Sequence, residues 1–176
     1  IQSVEWAIAQ NADKESPFYG RIDTEAIAAA GMSCGGLQTL DNSADPRFKT
    51  LMIMNSGLFV NPMGAMPGMP MPEKEKLQNI KVPVIYILGG EEDIAYGNGM
   101  DDFFRLKNIP AVAANYPVGH GGTYRDPHGG EFTVPALAWL QWQLQGNEEA
   151  AKMFTGFPCG LEQREGWTVE KNQLID

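Results

Sequence analysis

Cysteine and histidine are the scarce residues of this 176-residue chain, with two of each. Two cysteines, Cys34 and Cys159, exclude a disulfide framework and a cysteine-based zinc site. They leave either one bridge or two buried thiols. Two histidines, His120 and His128, restrict an imidazole base to two positions. No apolar run approaches the 18 or so residues that a membrane-spanning helix needs, so no membrane span is expected. Positive charge is also short: 13 Lys and Arg against 22 Asp and Glu, a net charge of −9 and a pI near 4.7. Such a surface argues against nucleic acid or an anionic membrane as the main partner. An initiator methionine, a charged leader and a signal-type apolar segment are missing from the start. Instead Ile1, Val4 and Ile8 open in mid-pattern, as one face of a helix already under way.

What is present is a globular composition, 43% apolar and 10% aromatic, in a chain long enough for one domain with a real core, residues 1–176. Helix is expected up to about Asn11. "AIAAAGM", "FKTLMIM", "VPVIYILGG" and "IPAVAANYPV" have the length and apolar density of buried strands. Helical segments alternate with them. "CGGLQTLDNS" is entered abruptly after the first strand. "MDDFFRLKN" has Asn98 as N-cap, with Asp101 and Asp102 as first-turn acids. In "EFTVPALAWLQWQLQG", Phe132, Ala136, Trp139, Leu140 and Leu144 share a face and Gly146 ends the helix; Trp139 and Trp142 read as core. The tail from Thr155 to Asp176 reads as irregular. Strand–helix alternation predicts an α/β fold: a mostly parallel sheet flanked by helices on both faces.

In such sheets the working groups stand at the carboxyl ends of the strands. The first strand delivers Ser33, the third delivers Asp93, and the fourth delivers His120. Serine needs a base of near-neutral pKa within reach, and a carboxylate to orient that base and stabilise its charged form. Gly31-Met32-Ser33-Cys34-Gly35 fits a nucleophile elbow, Gly-x-Ser-x-Gly, on a sharp strand-to-helix turn. The residues two before and two after the serine are expected to be small because strand and helix nearly touch there. The next backbone N–H, that of Cys34, then points at a developing oxyanion from a helix N-terminus. Centring the motif on Cys34 instead would put Met32 where the turn needs a small residue. His128 reads as a loop or pocket-rim residue, and Glu91 and Glu92 as solvated. Met32, Tyr96 and Tyr124 flank these groups and are the substrate-contact candidates. The Met- and Pro-rich stretch "NPMGAMPGMPMP" reads either as a pocket wall or as a packed loop.

"GMSCGGLQTL", "ILGGEEDIAYGNGMDDF", "GHGGTY" and "AWLQWQL" resemble the α/β-hydrolase superfamily, nearest to dienelactone-hydrolase-like, polyester-hydrolase-like and chlorophyllase-like esterases. The resemblance covers roughly residues 1–155, the carboxyl-terminal half to two-thirds of such a fold. It implies a secreted or periplasmic serine esterase with Ser33 as nucleophile, Asp93 as acid, His120 as base and no metal or organic cofactor, acting on a small-molecule or polymeric ester. It also implies a Cys34–Cys159 bridge. That fold carries strands before the elbow, one of whose loops supplies a second oxyanion donor; only part of a helix precedes the elbow here, so the resemblance implies a chain without that part. Two rival readings are a non-catalytic binding protein of the same fold and a hydrolase that attacks through Cys34.

Overall fold

Strand β3, Val84–Leu88, and strand β4, Ala111–Asn115, are buried at every position, which is why they read as unbroken apolar runs. They are the centre of a five-stranded sheet in a computed structural model that describes residues 1–61, 72–172 and 175. β1, Ile27–Met32, and β2, Phe48–Met54, precede them, and β5, Thr168–Lys171, follows. The spatial order is the chain order. The first four strands are parallel and β5 is antiparallel to β4. The tail after Thr155 is therefore not wholly irregular: it returns to close one sheet edge. β5 escapes a pattern reading because it is four residues long and half exposed.

The period-two alternation of the strands sorts their side chains between two cores. Val84, Tyr86 and Leu88 face one side with Leu37, Leu40, Met100 and Phe103. These come from α2, Cys34–Asp41, and α3, Tyr96–Arg105. Ile85 and Ile87 face the other side with Trp139, Phe154 and Trp167. α4, Thr133–Gln145, covers that side and ends at Gly146 in the left-handed conformation, φ 65°. Pro135, Ala138 and Trp139 are its buried residues, and Phe132, Ala136 and Leu140 of the expected stripe pack into the same core, which Leu144 does not join. Trp139 fixes the helix's rotation, because its Nε1–H donates to Thr50 Oγ1 at 2.7 Å inside the core.

α3 begins two residues before Asn98, with Ala95 as N-cap and no side-chain cap. Asp101 and Asp102 thus fall in its later turns rather than its first. Asn98 instead accepts from the Val60 N–H. α1, Gln2–Ala12, buries none of its residues, and Trp6 packs edge-on against Phe18. The Met- and Pro-rich segment 62–71 lies outside the described residues. Among the described residues no helix is long and apolar enough to cross a membrane.

Strand register sets the site. Met32 pairs with Met54, and Met54 with Ile87, so Ser33 and Asn55 leave the sheet side by side at one edge. The Ser33 N–H donates to Met54 O at 3.0 Å and the Asn55 N–H to Ile87 O at 2.8 Å.

Candidate active site

Ser33 stands between β1 and α2 with φ 54° and ψ −118°, a backbone that costs a non-glycine residue free energy. Neighbouring contacts hold it there. The Ser33 carbonyl accepts from the Gly36 and Leu37 N–H groups and from Ser56 Oγ at 2.7 Å. A Cβ on Gly31 would meet the Gly35 carbonyl at 2.2 Å, and one on Gly36 would meet Ser56 Cβ at 2.4 Å. One on Gly35 would meet nothing within 4 Å. The small residues that the turn requires are therefore Gly31 and Gly36; the motif's second glycine, Gly35, is not sterically needed.

His120 follows β4 through a loop pinned to the end of β3. The Val118 and Gly119 N–H groups both donate to Gly89 O, at 3.0 and 2.8 Å. A Cβ at Gly89 would sit 2.0 Å from Gly119 O, so glycine is what lets these loops touch. Asp93, 3% exposed, lies beneath. His120 Nδ1 is 2.7 Å from Asp93 Oδ1, and His120 Nε2 is 3.0 Å from Ser33 Oγ. The three residues thus form one continuous hydrogen-bonded chain.

Asp93 receives further donors: Ala95 N–H to Oδ1 at 2.9 Å, Gly89 N–H to Oδ2 at 3.1 Å, and Asn55 Nδ2 to Oδ2 at 2.7 Å. Burial pushes this carboxyl up. The hydrogen bonds from Ala95, His120, Asn55 and Gly89 outweigh burial and hold it below its ordinary value. An ionised Asp93 can only accept, so His120 Nδ1 must carry a proton. In the neutral imidazole, Nε2 is then left to accept from the Ser33 hydroxyl. An alkoxide-forming attack on an electron-poor carbonyl is what such a chain can support.

A recess of about 240 Å³ opens beside Ser33 and His120, walled by Leu37, Phe59, Ile94 and Ala95, with Asn98 also in its lining. Among the described residues its lining holds no Lys, Arg, Asp or Glu. Three larger depressions among the described residues, of about 470, 630 and 330 Å³, lie elsewhere and are lined by neither serine nor histidine.

Cys34 is half-buried and lines the recess, and its N–H, the first of α2, has no acceptor within the helix. Both cysteines are free thiols, which corrects the expected bridge. Tyr96 packs against the core under α3, and Met32, 36% exposed, ends β1; neither lines the recess. The Tyr124 hydroxyl donates to Asn55 Oδ1. Burial, and then the Asp93 charge, push that phenol well above its ordinary value. His128 lies apart in an exposed turn, φ 58°. Glu91 and Glu92 are exposed. Sequence reasoning missed Asn55, Ser56, Phe59 and Ile94. The polar pair "NS" directly after the buried run of β2 was the available signal for the first two.

No family model matches the sequence, and no curated protein does. Solved structures do. An acylaminoacyl peptidase of Pyrococcus horikoshii superposes with a TM-score of 0.60 at 18% identity, over 74% of this chain and 26% of its own. Dipeptidyl peptidase 4 of Porphyromonas gingivalis gives 0.54 at 18%, over 81% and 23%. A variant of pOPH in complex with pNPB gives 0.53 at 14%, over 86% and 55%. The chain has the α/β-hydrolase fold. It spans about a quarter to about half the length of these proteins.

Proposed function

We propose that this protein is a serine hydrolase that cleaves carboxylic esters through an acyl-enzyme. The observation that carries the reading is the 3.0 Å approach of Ser33 Oγ to His120 Nε2, with His120 Nδ1 held by an ionised carboxylate. Ser33 Oγ attacks the ester carbonyl carbon as its proton passes to Nε2. The oxyanion is received by the Cys34 N–H at the start of α2. The tetrahedral adduct collapses as Nε2 returns the proton to the leaving alcohol. Water then repeats the sequence against the acyl group, with His120 first base and then acid. Asp93 keeps the proton on Nδ1 throughout. The uncharged, mostly apolar recess beside Ser33 supports a short, uncharged acyl group over a charged one.

Hydrolysis of p-nitrophenyl acetate, butyrate and octanoate tests the reading, with Ser33→Ala as control. Turnover of at least one short ester is expected, falling by at least about 10³-fold in the variant. Turnover that survives in Ser33→Ala would sink it.

A further inference from the structure

Asn55 does not belong to the Ser33–His120–Asp93 chain, yet it is fully buried beside it, with both ends of its amide engaged. Its φ of 41° lies in the left-handed region, which asparagine tolerates better than most residues. Nδ2 faces two acceptors, Asp93 Oδ2 at 2.7 Å and Gly119 O at 3.3 Å, the latter immediately before His120. Oδ1 faces the Tyr124 hydroxyl.

A carboxamide can sit in its pocket either way round. Turned over, Asn55 would present oxygen lone pairs to the Asp93 carboxylate and the Gly119 carbonyl, both acceptors. A hydroxyl that donates to Oδ1 selects the productive orientation. Tyr124 is held for that task. Its ring packs edge-on against Phe132, with centroids 5.4 Å apart. It also closes over Gly122, where a Cβ would come within 2.6 Å of the ring. The loop that carries His120 thus grips Asn55 from both ends, through Gly119 and Tyr124.

We propose that Asn55 and Tyr124 form a positioning pair for the acid: the Tyr124 hydroxyl orients the Asn55 amide, and that amide fixes Asp93 against His120. This rests on the serine hydrolase reading above. It assigns Tyr124 a role other than substrate contact.

The test uses the full chain and four variants, Tyr124→Phe, Asn55→Gly, Asn55→Asp and Ser33→Ala. Asn55→Gly keeps the unusual backbone without strain, and Tyr124→Phe keeps the ring. Kinetics on p-nitrophenyl butyrate are read across pH, together with the low-field proton resonance of His120 Nδ1–H. Tyr124→Phe should lower kcat about tenfold with KM unchanged, and should shift or broaden that resonance. Asn55→Gly should lower kcat about 10–100-fold. Asn55→Asp sets a second carboxylate against Asp93. It should lose still more activity, with the remainder following an altered pH profile, because the two acids would share a proton.

An unchanged kcat and resonance in Tyr124→Phe overturns the pair. So does a raised KM with kcat intact, which would make Tyr124 a substrate contact. If Asn55→Gly fails to fold, the Tyr124→Phe kinetics and resonance decide alone. If the unaltered chain hydrolyses no ester, or Ser33→Ala hydrolyses it equally well, the serine reading fails and the pair fails with it. Failure of the pair alone leaves the Ser33 dependence in place.

Discussion

Lys74 Nζ lies 2.6 Å from Asp102 Oδ1 and 2.7 Å from Asp101 Oδ2, so one ammonium bridges successive carboxylates of α3. Asp102 is fully buried, and its other oxygen accepts the Leu58 N–H at 2.7 Å and the Tyr86 hydroxyl at 3.3 Å. Leu58, in the stretch after β2 that supplies Gly57 and Phe59 to the recess, and Lys74 are therefore both tied to the helix that follows Asp93.

Burial pushes Asp102 up to about 6, against the pull of Lys74 and of the Leu58 N–H. A carboxyl raised above its unfolded value adds stability below that value and loses it as pH rises through the folded one. The window therefore runs from about pH 4 to about pH 6. Removing the charge with Asp102→Asn should make stability less dependent on pH there. Relative to the parent, the variant should gain between pH 4 and pH 7, by at most about 3 kcal/mol. Urea unfolding of both proteins at several pH values measures this; parallel curves would contradict it.

The glycines of the elbow should separate sharply. Gly35→Ala meets open space within a helix, and alanine is the better helix former by about 1 kcal/mol, so this variant should melt at or above the parent's temperature. Gly31→Ala and Gly36→Ala drive a methyl into backbone or into Ser56, and should cost about 1–3 kcal/mol or more. Thermal melts of the three variants give the ranking.

Cys34 contributes its backbone, not its sulfur, to the proposed chemistry. Cys34→Ala should keep esterase activity within a few-fold, because the N–H remains. Thiol alkylation of the parent should slow it only as far as the adduct obstructs the recess that Cys34 lines. Loss of activity in Cys34→Ala beyond about 10²-fold would point to the thiol as nucleophile. Both thiols being free, reductant should leave the melting temperature unchanged.

Much of this was legible in the sequence, for physical reasons that can be named. β3 and β4 announce themselves because burial on both faces forces unbroken apolar runs. Ser33, Asp93 and His120 could be singled out because parallel strands bring their carboxyl ends to one edge. What escaped depends on partners distant in sequence. Asn55 is one polar residue after a strand until Asp93 and Tyr124 fold over it. Asp102 reads as a helix-start acid because α3 has no side-chain cap to mark where it begins. The bridge inferred from resemblance failed because nothing local to Cys34 or Cys159 sets their pairing.

The most direct measurement is the intact mass of the chain after incubation with a fluorophosphonate, followed by peptide mapping. One stoichiometric adduct is predicted, on Ser33, absent in Ser33→Ala and much slower in His120→Ala. A folded chain that takes up no adduct, or takes it up elsewhere, would contradict an activated Ser33.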